Sequence, residues 1–80
     1  MSKVFNKVYD RIMSMTGGHE AILPETEYGN DLGYDSLDMV EDMMWAEEEF
    51  EIDIKDHEWE SVKTVEDAAR IIEGKLGIKD

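Results

Sequence analysis

Val4, Val8, Ile12 and Met15 fall three or four residues apart, with Phe5, Tyr9 and Met13 beside them, and the same period returns in Val65, Ala68, Ala69, Ile72 and Leu76. That spacing sets apolar side chains along one stripe of an α-helix, and no segment carries the alternation of a convincing strand. The first stripe predicts an amphipathic helix from Lys3 to Met15, stopped by Gly17-Gly18. A second helix is expected from Ser36 to Phe50, with Asp35 capping its first turn and Asp38 and Glu41 placed where carboxylates favour a helix N-terminus. On its wheel Leu37, Met39, Val40, Met43, Met44, Ala46 and Phe50 fill one half. Asp38, Glu41, Asp42, Glu48 and Glu49 fill the other, with Trp45 among them. Beyond Ile52 and Ile54, Asp56 to Ser61 can form a short turn of helix carrying Trp59. Thr64 opens the last helix in a weak capping box with Asp67, and Gly74 and Gly77 fray its end. Between the first two helices, from His19 to Tyr34, Pro24, Gly29 and Gly33 break any period. A loop of that length in a small domain needs apolar pins, expected to be Ile22, Leu23, Tyr28 and Leu32. The expected fold is therefore all-α: a small bundle of three principal helices plus one short helix, with one long loop, residues 1–80 forming a single domain.

Charge narrows the function. The chain has 8 Lys and Arg against 21 Asp and Glu, a formal net charge of −13. Such a polyanion does not hold nucleic acid by counterion release, nor an anionic membrane surface. From Ile12 to Ile54 there is no base and there are thirteen acids, so the middle of the chain is one negative field. It is either a solvated surface that keeps the chain soluble or a docking face that steers basic partners. A chain of 80 residues buries only about 60–65% of its unfolded surface, which excludes multidomain enzymes and makes a well-patterned core necessary. Without cysteine there is neither a disulfide nor thiolate chemistry, and Met-Ser-Lys followed by a mixed polar run has no apolar stretch of a signal peptide or a membrane span. A monomer in the cytoplasm, or an equivalent soluble compartment, is the expectation.

Chemistry has few places to sit. His19 and His57 lack the neighbouring His, Cys or spaced carboxylates of a zinc site and read as surface residues. The glycines of the loop are not followed by the Lys-Ser/Thr of a phosphate loop. The acids from Asp31 to Asp38 lack EF-hand spacing, so weak divalent binding is conceivable and no dedicated metal site is expected. Ser36 has no Gly-x-Ser-x-Gly turn and no nearby histidine, which excludes a nucleophilic serine. Its setting is still unusual, a hydroxyl at the mouth of a long loop and on the first turn of a helix. A phosphodiester attached there would meet unpaired N–H groups and the positive end of the helix dipole.

Asp31-Leu32-Gly33-Tyr34-Asp35-Ser36-Leu37-Asp38, then Val40-Glu41 and Glu47-Glu48-Glu49-Phe50, resembles the signature of free-standing, type II acyl carrier proteins. The likeness extends from Ile22 to Glu73 without gaps, through Pro24-Glu25 and Tyr28 upstream and Ile54, Asp56, Thr64-Val65 and Ala68-Ala69 downstream. The resemblance implies that Ser36 receives 4′-phosphopantetheine from coenzyme A through a phosphopantetheinyl transferase. The arm's thiol would then carry acyl groups as thioesters between enzymes of fatty acid or related, polyketide-like biosynthesis, while the carrier itself catalyses nothing. It also implies that Asp35, Asp38, Glu41, Glu47 and Glu48 meet basic patches on the transferase and on acyl-handling enzymes, with Leu37, Val40 and Met44 as the apolar centre of the contact.

Three residues depart from the family pattern. Asp42 and Ala46 stand where leucines are usual and Trp45 where a small residue is common. An unpaired buried Asp42 is costly, so either it turns outward or its end of the pocket opens to water. Trp45 is expected to fold over the space that Asp42 and Ala46 leave, aided by Met39 and Met43. Short acyl, polyketide and aminoacyl cargo stay open beside long saturated chains. The alternative function is an unmodified acidic adaptor that binds a basic partner while Ser36 stays bare.

Overall fold

The structure is a computed structural model that describes residues 3–17 and 22–77. Within them lie four helices: α1 (Lys3–Thr16), α2 (Ser36–Phe50), α3 (Asp56–Glu60) and α4 (Val65–Leu76). No strand is present among the described residues, only an isolated bridge between Glu27 and Thr64. Gly18 and His19 lie outside the described residues, so the second half of the expected glycine stop and the His19 surface assignment are not addressed.

α1 buries Val4, Phe5, Val8 and Ile12, the stripe that its period requires. It runs one residue past the expected end because the Thr16 hydroxyl donates to the Ile12 carbonyl at 2.8 Å. Gly17, at φ 74°, then turns the chain out of the helix. α4 lays Val65, Ala68, Ala69 and Ile72 against it. Thr64 and Asp67 form a complete capping box: Thr64 Oγ1 accepts from the Asp67 amide at 3.1 Å and Asp67 Oδ2 from the Thr64 amide at 3.0 Å. Gly74, expected to fray this helix, lies inside it, and Gly77 in the left-handed conformation ends it.

The long loop is fastened to the start of α4. The Tyr28 amide donates to the Lys63 carbonyl, and the Val65 and Glu66 amides donate to the carbonyls of Thr26 and Pro24. Ile22 and Tyr28 are buried as expected and Leu32 packs against the core. Leu23 is exposed, which corrects the expected set of pins. Its place is taken by the buried Thr26, whose hydroxyl accepts from the Leu23 amide at 2.8 Å and holds the turn around Pro24. A hydroxyl that closes its own turn can be buried without cost in lost hydrogen bonds.

Candidate functional site

Ser36 is the first residue of α2, and the cap before it is built from two carboxylates. Asp35 Oδ1 accepts from the Asp38 amide at 2.9 Å, and Asp38 Oδ2 returns the bond to the Asp35 amide at 3.1 Å. This satisfies one donor of the first turn and leaves the Ser36 and Leu37 amides without intrahelical acceptors, at the positive end of the helix dipole. The Ser36 side chain is exposed; Asp35 and Asp38, the nearest carboxylates along the chain, are engaged in the cap, and the exposed Asp56 and Glu60 of α3 line the same groove as Ser36.

Two concavities meet at Ser36. One, of about 470 Å³, lies between α2 and α3 over Met39, Val40, Met43, Trp59 and Val62. The other, of about 310 Å³, opens toward the long loop and shares Ser36, Met39 and Val62 with the first while adding Tyr28 and Tyr34. Trp59 is buried and its indole N–H donates to the Met39 carbonyl at 2.9 Å, which fixes α3 against the first half of α2 and shapes the groove. Sequence reasoning did not identify this anchor; a tryptophan in a helix of one and a half turns was its only signal.

The outward side of α2 is apolar at its centre. Leu37, Val40 and Met44 are 65%, 46% and 58% exposed. Glu41 and Glu48 are exposed beside them, and no ion pair holds either among the described residues. Glu47 differs from the other expected docking acids: it is half-buried and its Oε2 accepts from the Ile54 amide at 2.9 Å, tying down the segment that leads to α3. Asp35 and Asp38 are occupied in the cap. Glu49, unlike Glu48, is paired within the chain, with Lys7 at 2.8 Å.

Asp42 is where the structure corrects the sequence most. It neither turns outward nor faces water, but lies 2% exposed with its Oδ1 accepting from Arg11 Nε at 3.1 Å. Burial pushes its carboxyl up, and the hydrogen bond and charge of Arg11 oppose that rise. Trp45 does not fill a gap left by Ala46, which is itself fully buried. Its ring stands 5.7 Å from the Arg11 guanidinium carbon and edge-on to Phe50, covering the Arg11–Asp42 pair on the α1 side. Met39 and Met43 work on the opposite side, in the α2–α3 groove.

His57 is exposed on α3, and the described residues contain no group of three or more His, Cys, Asp or Glu that could hold a metal ion. No helix among them is long and apolar enough to cross a membrane.

Comparison with known proteins agrees with this geometry. The family described as "Phosphopantetheine attachment site" matches residues 6–72. The chain is 43% identical over 68 residues to the acyl carrier proteins of Chlorobium phaeobacteroides and Chlorobium luteolum, covering 84% of this chain and 87% of each relative. Its fold is similar to the crystal structure of an acyl carrier protein from Thermotoga maritima, with a TM-score of 0.78 and 26% identity over 94% of this chain and 93% of that one.

Proposed function

We propose, because the chain belongs to the acyl carrier protein family, that Ser36 is the residue through which it carries its cargo. Membership brings a covalent 4′-phosphopantetheine and a role as a carrier, not a catalyst, in acyl biosynthesis. It also implies interaction with a phosphopantetheinyl transferase and with acyl-handling enzymes. The observation that supports Ser36 is its position: an exposed hydroxyl on the first residue of α2, at the rim shared by two concavities. The residues present fit the group. A phosphodiester on Oγ has the amides of the first turn beside it, and an arm leaving Ser36 has an apolar wall of Met39, Val40, Met43 and Trp59 to follow. The arm's terminal thiol supplies the thioester chemistry, and no cysteine of the chain competes with it.

Asp35 and Asp38 spend their carboxylates on the cap and are not held ready for the Ser36 proton. The transferase therefore provides the base that takes the hydroxyl proton. The Oγ–phosphorus bond then forms as the bond to the nucleotide part of coenzyme A breaks. Docking falls to the outward face of α2, with Leu37, Val40 and Met44 as the apolar centre and Glu41 and Glu48 as unpaired charges, facing a basic patch on each partner enzyme. Asp35, Asp38 and Glu47 contribute by holding this face in shape. The carrier acts as a monomer in the cytoplasm, within fatty acid or related acyl synthesis.

The test is intact-protein mass after incubation with coenzyme A and a broad-specificity phosphopantetheinyl transferase. Wild type gains one phosphopantetheine and Ser36→Ala gains none. A gain on Ser36→Ala overturns the assignment, and a wild type that stays bare while folded returns the adaptor reading.

A further inference from the structure

Met44 lies on the outward face of α2 and is 58% exposed, and among the described residues it is the one methionine open to solvent. The others are shielded. Met43 is 9% exposed, Met13 and Met39 pack against the core, and the partly buried Met15 has its Sδ covered by the Tyr34 hydroxyl, which donates to it at 3.5 Å. Met44 stands one helical turn from Val40 and from both Glu41 and Glu48. With the two glutamates and Trp45 it lines a recess of about 410 Å³.

A thioether is an apolar side chain that chemistry can turn polar in place. One oxygen of a peroxide bonds to the sulfur as the O–O bond breaks. The sulfur is oxidised to the sulfoxide, and the other oxygen is reduced and leaves as water once it has taken the transferred hydroxyl's proton. Both the oxidant and the water that supports this separation of charge must reach the sulfur, so the exposed Met44 reacts ahead of the shielded methionines. The chain has no cysteine, so in the unmodified carrier no thiol draws the oxidant first. The product falls where it matters most for contact. A sulfoxide oxygen is a strong acceptor, and pressing it against an apolar partner surface carries a desolvation cost that the thioether does not. Leu37 and Val40, the neighbours of Met44 on this face, hold nothing that a peroxide oxidises.

We propose that Met44 is an oxidation site through which a peroxide weakens the carrier's hold on its partner enzymes, and from which a sulfoxide reductase restores it. This rests on the outward face of α2 as the docking surface. In the return step the sulfoxide oxygen leaves as water while two thiols of the reductase system are oxidised to a disulfide. Because the sulfur is in solvent and outside the core, oxidation acts on partner exchange and leaves the fold alone.

The test treats the unmodified chain with hydrogen peroxide and removes the excess with catalase. Phosphopantetheine transfer from coenzyme A is then followed at carrier concentrations well below saturation, where the rate includes docking. Peptide mass mapping finds the added oxygen at Met44 before Met13, Met15, Met39 or Met43. Transfer to the oxidised chain slows by about tenfold, the scale of one apolar side chain lost from a contact, with the helical dichroism unchanged. Sulfoxide reductases for both epimers, supplied with a dithiol, bring the rate back. Met44→Leu starts from its own rate, and the same peroxide treatment moves that rate by less than about twofold. Four results overturn the inference: oxidation that reaches the other methionines first, oxidised wild type that transfers as fast as reduced, a loss as large in Met44→Leu, or a loss that the reductases do not reverse. The docking reading is checked apart from it, in the reduced chain. If charge reversal at Glu41 and Glu48 leaves transfer there unchanged, the docking face falls and the inference with it.

Discussion

Replacing Arg11 by methionine keeps most of the side-chain volume against Trp45 while removing the partner of a carboxylate that is 2% exposed. Breaking a buried ion pair from one side costs about 3–5 kcal/mol, because a charge is left in the interior uncompensated. Arg11 itself is 26% exposed along its side chain, so part of the interaction is screened by solvent and the lower end, about 3 kcal/mol, is the fitting figure. A domain of this length has about 4–12 kcal/mol in all and shifts by about 4–8 °C per kcal/mol, so Arg11→Met melts roughly 12–24 °C below wild type near neutral pH.

The dependence on pH is the sharper part. The folded-state value of Asp42 lies above that of an ordinary carboxyl, with burial as the first cause. A raised value means that the proton favours the folded state. The contribution is complete below the unfolded value of about 3.9 and is lost as pH rises through the folded one. Removing Arg11 raises the folded value further, since the hydrogen bond and charge that held it down are gone. The deficit of Arg11→Met against wild type is therefore widest near neutrality and narrows on acidification, because a protonated Asp42 needs no guanidinium. Asp42→Leu is milder, since a released Arg11 can swing into water, and the double variant Arg11→Met/Asp42→Leu is neutral or more stable than wild type by about 1–4 kcal/mol. Thermal melts followed by far-ultraviolet circular dichroism across a pH series read all of this. A deficit that is constant with pH, or an Asp42→Leu variant as damaged as Arg11→Met, refutes the buried-pair account.

At the start of α4, Thr64→Ala removes the acceptor for the Asp67 amide and costs about 1 kcal/mol, a fall of about 4–8 °C in melting temperature. The Thr64 amide, first among its partners, holds the Asp67 carboxyl low, so its contribution is present above the ordinary carboxyl value and is lost as pH falls; Asp67→Asn should flatten the acid limb of the melting profile, and an unchanged slope counts against it. Glu51, the only described non-glycine residue with positive φ (54°), ends α2 in the left-handed conformation, so Glu51→Gly should raise the melting temperature by a few degrees, for a gain of about 0.5–1 kcal/mol. Charge reversal at Glu41 and Glu48 should slow phosphopantetheine transfer while leaving the helical dichroism unchanged, and transfer rates equal to wild type would remove the outward face of α2 from the docking surface.

What the sequence made legible is what neighbouring residues decide. The stripe of α1, the Thr64–Asp67 box and the Asp35 cap are all local, and each is found where spacing places it. The face of α2 is not local. At about 100° per residue its apolar half is centred roughly a quarter turn away from the face that the fold buries, which runs from Asp42 through Ala46 to Met43. Two contacts from other helices set the rotation: Arg11 of α1 receives Asp42, and Trp59 of α3 seizes the Met39 carbonyl. Neither can be read from α2, because hydropathy prices an aspartate by itself and not with its partner. Only the family signature put Leu37, Val40 and Met44 on a contact surface, whereas the wheel grouped them with Met39, Met43 and Ala46. The rotation that hides Asp42 is the one that turns Leu37, Val40 and Met44 out beside Glu41 and Glu48. The carboxylate that looked like a defect of the core therefore helps to hold the proposed docking face in register. Its removal without repacking should be felt in partner affinity as well as in stability.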